Sequence, residues 1–92
     1  MTMTPQQRQF LETTRRLLDN LDDALLDLLA QRAQVVAELW AWKDQQGLER
    51  TDARREAEVF ERLRARAAEK GLDPTRVEPV LRAIIGQPLA GP

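Results

Sequence analysis

Three charged side chains fall on helix faces that ought to be apolar. At 100° per residue, Leu21, Leu25, Leu28, Arg32, Val36, Leu39 and Lys43 form one stripe. Arg32 and Lys43 lie three turns apart on it, within about 20° of each other. Glu56 shares a face with Phe60, Leu63 and Ala67, and Asp52 lies one turn before it. Burying an unpaired charge costs several kcal/mol. A small domain that keeps two cations and an acid in such places is expected to hold them for an anionic ligand. A plainer reading competes with this one. Arg32 could lay its methylenes over the core and carry its head to water, Asp52 could pair with Arg55 at i+3, and Glu56 could pair with Arg32 or Lys43 across helices. For Arg32 alone the plainer reading is preferred; for Arg32 and Lys43 together both stay open. Arg15 sits about 80–100° from the stripe on the same helix, and so serves another surface. In a dimer with antiparallel long helices, that surface could be the partner's pocket. Trp40 and Trp42, close to Lys43, are read as packing.

The inventory narrows the chemistry. The 92 residues include no Cys, His, Ser or Tyr, which removes Ser/His and Cys/His nucleophiles, imidazole acid–base catalysis and thiolate or imidazole metal sites. Four scattered glycines make no phosphate loop. Catalysis would fall to Arg, Lys, Asp and Glu, acting by position and charge, with no metal and no cofactor. Arginine outnumbers lysine twelve to two, so Lys43 and Lys70 stand out. A net charge of −1 argues against a nucleic-acid binder, which carries a basic excess. No apolar run is long enough for a membrane span, and the N-terminus lacks the features of a signal peptide, so the cytoplasm is the expected location.

The elements that must position these residues are helices. Between Pro5 and Gly47 there is no Gly or Pro, and Phe10, Leu11, Leu17, Leu18, Leu21, Leu25, Leu28, Leu29, Val35, Val36 and Leu39 recur at three- and four-residue spacing. A helix over about 7–44 would be about 57 Å long, whereas a compact chain of this size has a radius of gyration of about 12 Å. The remaining residues cannot cover such a helix, so a partner chain must, and a homodimer is the simplest answer. Thr51 or Asp52 can cap a second helix with Val59, Phe60, Leu63 and Ala67 on its apolar face. Lys70-Gly71-Leu72 ends it and Asp73-Pro74 starts a third, with Val77, Val80, Leu81, Ile84 and Ile85 as its buried face. Pro79 is expected to bend this helix, and Gly86 and Pro88 to stop it. The predicted fold class is all-α, three helices with one long N-terminal helix, in a single domain over 1–92. Its core spans 8–87, and 1–7 and 88–92 are flexible tails.

Taken together, the residues resemble the all-helical chorismate mutases. The resemblance runs from about Leu11 to Ile85: Arg15, then Leu21-Asp22-Asp23-Ala24-Leu25-Leu26-Asp27-Leu28-Leu29-Ala30-Gln31-Arg32, then Lys43, then Asp52-Ala53-Arg54-Arg55-Glu56, with the Gly71-Leu72-Asp73 turn and Ile84-Ile85 at matching distances. No piece is specific by itself; the ordered set is. The resemblance implies an intertwined homodimer of three-helix chains with two equivalent sites. It implies that chorismate is rearranged to prephenate in aromatic amino-acid biosynthesis, a reaction needing no cofactor. It makes Arg32, Lys43 and Glu56 catalytic within a substrate-binding set of Arg15, Arg32, Lys43, Asp52, Arg55 and Glu56. Arg32 and the other protomer's Arg15 would grip the two carboxylates, and Lys43 a carboxylate and the ether oxygen. Asp52 and Glu56 would hold the ring hydroxyl, with Arg55 supporting that end.

One departure lies at the C-terminus. The family continues its third helix to a Ser and then a Gln that donates to the ether oxygen; counting from Ile84-Ile85, those positions are Pro88 and Pro92, and neither can donate. Gln87 is near but out of helical register. Three further readings compete: a related enzyme acting on 4-amino-4-deoxychorismate or isochorismate; a weakly active or non-catalytic mutase-like module that regulates, or is activated by, a partner enzyme; and a plain helical dimerisation module.

Overall fold

The computed structural model describes residues 2–89. It contains three helices in order: α1 Pro5–Gln45, α2 Ala53–Glu69 and α3 Pro74–Ile84. The all-helical, three-helix reading holds throughout the described residues.

Each helix end has a local cause. At the start of α1 the Thr4 hydroxyl accepts from Gln7 N–H at 3.1 Å, and the Gln7 side-chain oxygen accepts from Thr4 N–H at 2.9 Å. This reciprocal capping box satisfies two otherwise orphaned donors, and Pro5, with its preset φ, suits the first helical position. Residues 5–7, expected in a tail, are therefore helical. The other end of α1 closes in a Schellman turn: Leu48 N–H bonds to Lys43 C=O at 2.8 Å and Gly47 N–H to Asp44 C=O at 3.2 Å, with Gly47 at φ 69°. The same pattern ends α2, through Leu72 N–H to Ala67 C=O at 2.9 Å and Gly71 N–H to Ala68 C=O at 3.1 Å. Asp52 and Asp73 cap α2 and α3 by accepting from Arg55 N–H and Thr75 N–H. Pro79 lies inside α3, which continues through it to Ile84.

The described residues divide into two compact units, the first ending at Arg32 and the second beginning at Ala33. The first consists of α1 up to Arg32. Leu11 and Leu29 are half-buried, while its other leucines stay open to solvent, with Leu17, Leu21, Leu25 and Leu28 between 56 and 62% exposed. In the second unit α2 packs on α3. Ala67 is the buried residue there, and Val59, Phe60, Leu63, Val77, Leu81, Ile84 and Ile85 are half-buried. Val80, expected in the buried face, is 54% exposed; it sits about 85° from the centre of the arc defined by Val77, Leu81, Ile84 and Ile85. No helix of the described residues is long and apolar enough to cross a membrane.

Candidate active site

The last turn of α1 and the first turn of α2 bring Lys43, Asp52, Arg55 and Glu56 to the two ends of one short connection. The loop between them is tied to α1 by Arg50. Its guanidinium donates to Asp44 Oδ1 at 3.1 Å and to Oδ2 at 2.6 Å, a two-pronged match of planar fork to carboxylate. It also lies 5.6 Å from the centroid of the Trp40 ring, within cation–π range. With the side chain so anchored, the Arg50 carbonyl accepts from Lys43 Nζ at 3.2 Å. Lys43 is half-buried and has two further ammonium protons available for other acceptors. Trp40, read from the sequence as packing, has this second contact with the loop.

The Arg50–Asp44 pair carries a pH dependence. Arg50's hydrogen bond and charge hold the Asp44 carboxyl below its ordinary range. A depressed carboxyl stabilises the fold above the pKa it has when unfolded, and that contribution is lost as pH falls through the folded value. The pair should therefore hold from neutral pH through the ordinary carboxylate range and part only below it, a small and local acid transition because both side chains are exposed. Tryptophan fluorescence followed during acid titration checks this, and Asp44→Asn should abolish the acid transition. At neutral pH the same substitution should cost little, because the pair is exposed.

At the start of α2, Asp52 Oδ1 accepts from Arg55 N–H at 3.1 Å, while the Arg55 guanidinium lies 3.9 Å from Glu58. The Asp52–Arg55 contact is thus a cap and not the side-chain ion pair of the plainer reading. Among the described residues no ion pair joins Glu56 to Lys43. Glu56 is half-buried and faces a groove of about 510 Å³ between α2 and the end of α3, where Phe60, Arg82, Ile85 and Gln87 also line the wall. Arg82 lies 4.6 Å from the Phe60 ring centroid and donates to Glu78 at 2.9 Å.

The sequence alone does not mark Arg82 or Gln87 as lining residues. The signal for Gln87 is Gly86, which takes φ 72°. A left-handed residue breaks the helical count, so register from Ile84-Ile85 does not locate the residues beyond it. Pro88 lies past the end of α3, and Pro92 lies outside the described residues. Arg32 is half-buried and Arg15 exposed on α1, both in the first unit. Among the described residues no cluster of three or more carboxylates could hold a metal ion.

The site is thus part of an all-helical chain in which Lys43 lies in the last turn of α1, Asp52 caps α2 and Glu56 lies in its first turn. The chain belongs to the chorismate mutase type II family, whose model matches residues 14–89. It is 39% identical over 75 residues to the T-protein of Enterobacter agglomerans, a match that takes in 82% of this chain and 20% of that protein. The chain therefore spans about a fifth of that curated relative's length. No solved structure matches it.

Proposed function

We propose that this chain is an isomerase that rearranges chorismate to prephenate, and that it works as a homodimer without a cofactor. The observation that carries the proposal is the family match over residues 14–89, which contains every candidate site residue from Arg15 to Glu56. The rearrangement is pericyclic. One C–O bond breaks as one C–C bond forms within the same molecule, and no nucleophile or proton transfer is required. A protein lacking His, Cys, Ser and Tyr can accelerate it by holding the substrate folded and by stabilising the negative charge that builds on the ether oxygen.

In this reading Arg32 and the other protomer's Arg15 take the two carboxylates. Lys43, steered by the Arg50 carbonyl, supplies positive charge at a carboxylate and the ether oxygen. Asp52 and Glu56 accept from the ring hydroxyl, and Arg55 closes that end. A homodimer is supported by α1 itself: 41 residues make a helix about 60 Å long, and its row of exposed leucines is unlike the surface of a soluble monomer. Cytoplasmic location belongs to the same proposal.

The decisive experiment is the decay of chorismate absorbance with purified protein. Prephenate formation supports the reading, and a folded dimer that leaves chorismate untouched overturns it. The second reading, a relative acting on 4-amino-4-deoxychorismate or isochorismate, is tested by offering those compounds in parallel. An amine would meet Asp52 and Glu56 where a hydroxyl is expected, so the amino compound separates the alternatives by charge. Activity that emerges only with an added partner enzyme would favour the regulatory module.

A further inference from the structure

Gly47, Gly71 and Gly86 each come just after a helix and all adopt left-handed φ, at 69°, 78° and 72°. Placing a side chain on any of them therefore carries a similar backbone penalty. What the side chain would meet differs. At Gly47 and Gly71 a Cβ would find nothing within 4 Å. At Gly86 it would fall on the Glu56 carboxylate, overlapping Oε1 and standing 2.9 Å from Cδ and 3.7 Å from Oε2. The place of the missing methyl is occupied by a carboxylate oxygen.

A glutamate on an open helix surface moves among many rotamers, and holding one costs side-chain entropy. Here the carboxylate rests against the bare backbone of the turn that ends α3, and both Glu56 and Gly86 are half-buried. Ile85 and Gln87, on either side of Gly86, line the groove that Glu56 enters. We infer that Gly86 is a positioning residue for Glu56: the absence of a side chain at Gly86 sets where the Glu56 carboxylate stands in the groove. The consequence for turnover rests on the proposed reading, in which Glu56 touches the substrate. The contact itself does not.

The test is a pair of double-mutant cycles on the full chain. In thermal unfolding, Gly86→Ala should lower Tm by only a small margin more than Gly71→Ala, because the atom the methyl meets is the free end of the Glu56 side chain, which can turn aside, whereas Gly71→Ala meets only the backbone penalty. In the Glu56→Ala background the two glycine substitutions should cost the same, because truncating Glu56 makes room for the methyl. If Gly86→Ala alone fails to fold, recovery of folding in Gly86→Ala/Glu56→Ala supports the contact; failure of both overturns it. In turnover, Gly71→Ala should match the parent, while Gly86→Ala should lose on the order of 10²-fold, the effect of about 1 Å of misplacement in a site. The Gly86→Ala/Glu56→Ala double variant should be no slower than Glu56→Ala. Equal Tm and turnover for Gly86→Ala and Gly71→Ala, or losses that multiply in the double variant, overturn the inference. A parent protein inert toward chorismate would instead remove the mutase reading, and the thermal cycle would still decide the contact.

Discussion

Lys43→Ala is expected to lower turnover by at least about 10³-fold, or about 4 kcal/mol of transition-state stabilisation, while the protein stays folded. The two halves of this expectation have different physical origins. In the proposed reading, the ammonium faces an oxygen whose charge exists only while the C–O bond is breaking. The interaction is therefore stronger in the transition state than in the bound substrate, and its loss falls on kcat. Fold stability draws little from the same side chain. Its hydrogen bond runs to one exposed loop carbonyl at 3.2 Å, worth about 1 kcal/mol, and the loop keeps its separate Arg50–Asp44 anchor. Arg32→Ala is expected to abolish turnover in the same way, with a larger share in KM, since it would grip a carboxylate present throughout the reaction. Circular dichroism and steady-state kinetics on both variants check this. Unfolding of either, or parent-like turnover of Lys43→Ala, would return these charges to a structural role.

The sequence makes some of this architecture legible and hides other parts, for reasons that can be traced to residues. Helix ends marked by one residue acting on its immediate neighbours are readable. Gly47 and Gly71 close Schellman turns, and Asp52 and Asp73-Pro74 open helices. The start of α1 is misplaced because Thr4-Pro5-Gln6-Gln7 resembles a polar tail until its two ends are seen to cap each other. Periodicity locates the face between α2 and α3 but over-extends it to Val80, at the edge of the arc. The candidate site divides along the same line. Lys43 and Glu56 stand out because a charge on an apolar stripe breaks a pattern. The Arg50 clasp does not, since its reach to Asp44, Trp40 and Lys43 depends on the loop's path. Gln87 escapes because a single left-handed glycine cancels the helical count on which its exclusion rests.

Leu25→Glu should separate the protomers and with them the activity. Leu25 is 56% exposed in the single chain. Glutamate forms helix about as readily as leucine, so if α1 lay open to water in the working protein, the change would move stability by no more than about 0.5 kcal/mol. The proposed homodimer makes the opposite demand. Leu21, Leu25 and Leu28 fall on one stripe of a helix about 60 Å long. In the dimer that stripe is covered by the second copy, and Leu25→Glu would bury two symmetry-related carboxylates in an apolar seam. Each burial costs several kcal/mol when no partner charge is supplied. The loss of turnover should be complete and not graded, since in this reading each site needs Arg15 from the other protomer and a separated chain has half a carboxylate grip. Light scattering on a sizing column should give twice the chain mass for the parent at micromolar concentration, and monomeric or unfolded chain for Leu25→Glu. Arg62→Glu, on the solvated face of α2, should remain dimeric and active as the control for added negative charge. A dimeric, active Leu25→Glu would show that the α1 leucines are not the seam, and a folded, active monomeric parent would remove the homodimer altogether.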